Sequence, residues 1–177
     1  SASSSTASGS FGSIQSKKFF KYREGLGGLI RITAIFGAGT AGNNQLCGSG
    51  DISDGFFFGY NGTNFGILYR RAGIDNWTYQ ANWTHDTMLG VGGSSNPSGT
   101  KLNPQMGNIF QITVAYLGFG NIEFYIYSPE LSKFVMVHIL YFANTHNYTS
   151  LTNPSLTGLW ESRNFTGAAT GTTIYGA

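Results

Sequence analysis

The sequence predicts an all-β fold, an antiparallel β-sandwich of the jelly-roll or a related Greek-key type. Three observations lead there. Apolar and polar side chains alternate with period two through several short runs; Gly, Asn, Ser or Pro closes nearly every run; and no window carries a capped helical stripe. The composition agrees. Gly supplies 26 of 177 residues and aromatics 15%, so turns are plentiful and there is ample apolar area to bury, which excludes wholesale disorder. The length fits one domain of roughly 150 residues.

In chain order, residues 1–16 (SASSSTASGSFGSIQS) read as a Ser/Gly/Ala-rich N-terminal arm with Phe11 and Ile14 as its only large apolar side chains. Small side chains let such a backbone lie close against its own domain or a neighbouring chain, so Phe11 and Ile14 are the candidate assembly contacts. Residues 17–166 form the single sandwich domain, and 167–177 are a C-terminal tail of the arm's character. Removal of 1–13 is expected to leave the sandwich folded while weakening assembly.

Within the domain, the run 29–36 places Ile30, Ile32, Ala34 and Phe36 on one face and Arg31 and Thr33 on the other. Runs 56–60 and 65–69 flank Asn61-Gly62, a pair favoured in type I′ hairpins. Run 76–84 alternates Trp77, Tyr79, Ala81 and Trp83 against Thr78, Gln80, Asn82 and Thr84, which predicts one half-buried strand. Runs 109–117, 122–127 and 133–142 are rich in β-branched and aromatic residues, with Ser128-Pro129-Glu130 turning the last hairpin. Trp77, Trp83, Phe110, Ile112 and Phe124 are the expected core. The stretch 85–108 reads as a long loop with a role in binding or assembly.

Several function classes fall away. Only 10% of residues are charged and the net charge is +2, a weak basis for nucleic acid as a partner. No run approaches the ~18 apolar residues of a membrane span. Cys47 is the single cysteine, so neither an internal disulfide nor a cysteine zinc cluster is expected. No secretory signal is read in the sequence as it stands.

The chemistry-bearing motifs are sparse. Gly37-Ala38-Gly39-Thr40-Ala41-Gly42 matches G-x-G-x-x-G, but the residues after it cannot open the phosphate-binding helix, so a glycine-rich loop between strands is expected and no cofactor. Asp51, Ser53 and Asp54 lack the bidentate acid of a calcium loop and read as an Asx turn. His85 beside Asp86 has no identifiable nucleophile, His138 reads as a sheet histidine and His146 as a loop residue, so no metal and no catalytic residue is assigned. Glu24, Glu123, Glu130 and Glu161 are scattered rather than paired, and no enzyme is expected. Lys17-Lys18-Phe19-Phe20-Lys21-Tyr22-Arg23 interleaves basic and aromatic residues, the pattern of a guarded edge strand or an interface. Five N-x-S/T sequons make Asn61, Asn76, Asn82, Asn147 and Asn164 candidate N-glycosylation positions.

The ordered runs KFFKYREGLGGLIRITAIF, DGFFFGYNGTNFGILYRRAG, WTYQANW, GNIFQITVAYLGFGNIEFYIY, FVMVHILYFANT and LTNPSL resemble a module of virion surface proteins. These are capsid-associated, minor capsid or fibre-like proteins of large double-stranded DNA viruses and related phage tail-fibre proteins. The resemblance spans 17–166, and DGFFFGYNGT (54–63) and LGFGNIEFYI (117–126) are its most specific parts; the arm and the tail lie outside it. It implies a β-sandwich that assembles into homo-oligomers, trimers in the first instance, with other virion proteins on the particle exterior, and no catalysis. The second hypothesis is a glycan- or receptor-binding module of a fibre, which a cluster of exposed aromatics beside Asn or Asp in a concave loop region would favour.

Overall fold

The alternating runs fold into two antiparallel sheets that face each other across a phenylalanine-rich core. A computed structural model describes residues 1–21, 26–115, 117–166 and 170–176. The strands are β1 (Ala2–Ser3), β2 (Phe11–Gln15), β3 (Gly28–Ala34), β4 (Asn43–Gly50), β5 (Gly55–Asn61), β6 (Asn64–Arg71), β7 (Ile74–Tyr79), β8 (Asn108–Val114), β9 (Ile122–Ser128), β10 (Lys133–Leu140), β11 (Gly158–Asn164) and β12 (Thr173–Ile174). One sheet has the order β10-β9-β8-β3, the other β2-β11-β4-β5-β6-β7, and β1 pairs with β12. Strands β4 to β7 form a meander. β11 then returns, after the whole second sheet, to lie beside β4, the return that defines a Greek key.

The core is the set of inward positions that period two assigns. Phe56 and Phe58 of β5, Ile67 of β6, Phe110 and Ile112 of β8 and Phe124 and Ile126 of β9 are fully buried in one cluster. Phe58 meets Phe110 at 4.7 Å and Phe124 edge-on at 5.5 Å. Trp83 joins this cluster, but Trp77 does not. The expected single strand 76–84 is corrected here. It stops at Tyr79, and the 3₁₀ turn Gln80–Asn82 reverses the chain, so Trp83 swings into the core with its indole N–H donating to the Thr78 carbonyl.

Trp77 instead covers a second small cluster on the outer face of the six-stranded sheet, made by Leu46, Phe57, Leu68 and Leu159. Glycine makes that burial possible. A Cβ at Gly50 would stand 2.4 Å from Phe57 Cζ and one at Gly55 2.6 Å from its Cε2, so the ring lies flat where side chains are missing.

β4 and β11 had no sequence signal. The loop expected from Gly37 ends at Gly42 (φ +79°), and Asn43–Gly50, poor in β-formers, is a buried central strand because β5 and β11 pair with both of its edges. The β5–β6 hairpin closes through Gly62-Thr63 between the paired Asn61 and Asn64, with positive φ at Gly62 alone, the φ pattern of a type II′ turn rather than the I′ turn that Asn61-Gly62 implied. The N-terminal arm runs on the same molecule: β1 pairs with β12, and β2 extends the six-stranded sheet beyond β11.

Candidate functional site

The outer face of the four-stranded sheet is built from the positions between the core residues. Register aligns Arg31 of β3, Gln111 of β8, Tyr125 of β9 and Met136 of β10 in one row, with Tyr127 opposite Phe134 beside it. Arg31 Nε–H donates to Gln111 Oε1 at 2.8 Å, and its guanidinium lies 4.8 Å over the Phe134 ring. Phe134 meets Tyr127 edge-on at 5.5 Å. Tyr125 donates its hydroxyl to Glu123 Oε2 at 2.7 Å; burial first, then this bond and the neighbouring charge, push the phenol up to about 12. The face therefore carries aromatic rings with planar polar groups set between them.

A shallow groove of about 480 Å³ borders the face at Phe134, walled by His85, Asp86 and Ser98 of the long loop and by Lys133 of β10. The loop is pinned there. Asp86, buried, accepts the Met88 N–H at 2.9 Å and the Ser98 N–H at 2.8 Å, while the His85 and Asp86 N–H groups donate to the Val137 carbonyl at the β10 bulge.

The other distinctive surface is the edge of β3 away from β8. Ile35, just past the strand, exchanges both backbone bonds with Tyr175 on the side away from β8, so the N–H and C=O of Arg31 and Leu29 face that side too, and neither residue bonds a described residue there. Two apolar clefts flank this edge. One of about 200 Å³ holds Phe20, Leu26, Leu29, Leu151 and Leu156; the other, of about 280 Å³, holds Ile35, Ile109 and Tyr175. Phe20, Leu26, Leu29 and Tyr175 are each at least half exposed.

The remaining candidates are dispersed. Phe11 and Ile14 stay 60% and 41% exposed on β2, with the Arg163 guanidinium 5.1 Å over the Phe11 ring. Asn76, Asn82 and Asn147 are exposed, and Asn61 is half-buried with its amide donating to the Tyr79 hydroxyl at 3.0 Å. Asn164 differs from these: it is fully buried and its amide donates to the Ser5 carbonyl at 3.0 Å. Asp51 forms the expected Asx turn, accepting from the Ser53 and Asp54 N–H groups at 2.7 and 2.9 Å. His85 bonds Thr84 rather than Asp86, and His146 packs between Phe142 and Tyr148. His138 is buried, its Nδ1 accepting from Thr84, and burial first, then His85, lowers its pKa to about 4. The loop after β3 binds its own chain, Gly37 N–H donating to Gln45 Oε1 and to the Thr173 carbonyl. Lys17, Lys18, Phe19, Phe20 and Lys21 lead into the first cleft; Tyr22, Arg23 and Glu24, and tail residues 167–169 and 177, lie outside the described residues. Among the described residues no helix is long and apolar enough to cross a membrane.

The sequence reading passed over the Arg31–Gln111–Tyr125 row. Its signal was present in β9, where Glu123, Tyr125 and Tyr127 occupy every outward position between buried Ile122, Phe124 and Ile126.

Fold and surface together define an antiparallel β-sandwich with one aromatic and polar sheet face. No family model matches the chain, and no curated protein matches it. Among solved structures it is similar to a xylan β-1,4-xylosidase from Bacillus halodurans C-125, with 9% identity and a TM-score of 0.47 over 97% of this chain and 30% of that one. It is also similar to the CBM2 module of the evolved Dit of Lactobacillus casei BL23 phage J-1, with 8% identity and a TM-score of 0.45 over 99% of this chain and 74% of that one. This chain thus spans under a third of the xylosidase. Likeness at these levels says nothing of activity.

Proposed function

We propose that this chain is a non-catalytic structural module of a virion exterior, assembling with further copies of itself along the edge of β3. The observation that supports assembly is the state of that edge. Leu29 and Arg31 offer outward backbone groups without partners among the described residues, between two apolar clefts, on a chain with 10% charged residues. Sandwich proteins ordinarily cover, bulge or charge such an edge, and pairing with another chain satisfies it. The virion assignment, the trimeric state and contacts with other virion proteins rest on the resemblance of 54–63 and 117–126 to virion surface modules.

Sedimentation velocity at micromolar concentration tests the assembly. The expected result is a stable oligomer that Leu29→Lys, which sets a charge in the cleft, converts to monomer. A stable monomer of 19.0 kDa overturns it. Immunogold electron microscopy of particles tests the location.

A second reading, a glycan-binding module, is favoured by the outer face of the four-stranded sheet. Sugar rings present C–H faces that stack on Tyr and Phe and hydroxyls that bond planar polar groups, and this face supplies both at neighbouring positions.

A further inference from the structure

Resting on the saccharide-binding reading, we propose that the outer face of the four-stranded sheet is a site for an acidic saccharide, with Arg31 holding its carboxylate or sulfate. Arg31 is fixed on two sides. Its Nε is engaged by Gln111, which is only 8% exposed, and its plane rests on Phe134. That leaves the two terminal nitrogens as a preset fork, the geometry that takes an anion's paired oxygens. No carboxylate among the described residues pairs with Arg31, whereas Arg70 and Arg163 each have one, Asp75 and Glu161. The acid on this face, Glu123, accepts the Tyr125 hydroxyl. Lys133, exposed beside Phe134, adds a second positive charge at the groove.

Gln111 lies next to Arg31 in the row, with Tyr125 beyond it and Tyr127 and Phe134 alongside. The amide nitrogen of Gln111 makes no bond to a described residue, which leaves a donor next to the fork for a hydroxyl or a further anionic oxygen.

Titration calorimetry of the full chain with a hexagalacturonate, a heparin-derived hexasaccharide and maltohexaose tests this. The expected result is binding of at least one acidic oligosaccharide, weakened by salt. Arg31→Gln is expected to lower that affinity about tenfold or more, the loss of a charge-assisted contact. Arg31→Lys, which keeps the charge and removes the fork, should not restore it, and Lys17→Gln, a charge-matched change on the N-terminal segment, should leave it intact. Comparison of the two acidic probes separates carboxylate from sulfate recognition. Equal losses in Arg31→Gln and Lys17→Gln, or none in either, overturn the site. If maltohexaose binds, depends on Tyr127 and is indifferent to Arg31, the acidic class is wrong and saccharide binding stands. If none of the three binds, both readings fail.

Discussion

Asp54 and Thr152 are joined across 98 residues of chain: the wholly buried carboxylate accepts both the backbone N–H and the hydroxyl of Thr152. It also takes the N–H groups of Asn153 and Ala72, so one side chain ties the β4–β5 turn to the β6–β7 turn and to the segment before β11. Asp54→Asn replaces an acceptor-only group with one that turns an N–H toward these donors. The expected cost is about 1–3 kcal/mol, read as a lower urea midpoint, with Asp51→Asn, in an exposed turn, affected less.

The N-terminal segment is expected to matter for stability as well as assembly. Ala2 is buried and Ser4 belongs to a buried network in which the Asn43 amide donates to Ser4 Oγ at 2.8 Å and Thr172 and Ser162 share the same hydroxyl. Deleting 1–13 strips Asn43 of that partner and exposes the β11 edge, which predicts a loss of about 1–3 kcal/mol from the unsatisfied amide alone. Thermal melting of the truncated chain checks it; an unchanged melting temperature would refute the account.

Stability should also depend on pH through His138. Its folded pKa of about 4 lies below the ordinary 6.5, because burial and His85 disfavour the imidazolium. The unfolded chain takes up this proton first. The contribution of the neutral imidazole is therefore complete above about 6.5 and is lost as pH falls through the folded value near 4. Denaturation midpoints across that window should fall in the parent and fall less in His138→Gln.

Two glycines give opposite predictions. A Cβ at Gly59 would stand 2.0 Å from the Gln45 carbonyl oxygen, so Gly59→Ala should cost about 1–3 kcal/mol through forced backbone shifts. Gly28 has open space where a Cβ would go and no positive φ, so Gly28→Ala should be neutral or stabilise by about 0.4–1 kcal/mol. Paired chemical denaturation curves measure both.

The sequence by itself determined the fold class, and the reason is local. Strands such as Ile122–Ser128 bury every second residue, so their identity, their inward set and the inclusion of Phe110, Ile112 and Phe124 in the core follow from period two alone. The Asx turn at Asp51 was equally legible, since its bonds lie within three residues. Only tertiary structure decided the rest. Asn43–Gly50 is a strand because two neighbours pair with it, against its own preference, and Trp77 and Trp83 part company because a 3₁₀ turn intervenes where alternation continues. The Arg31, Gln111 and Tyr125 row joins three strands through register, and Leu29 and Arg31 stand at an edge because β8 is the strand that pairs with β3 among the described residues. Both depend on which strands lie side by side, and long-range pairing leaves no periodic mark in the strands that take part in it.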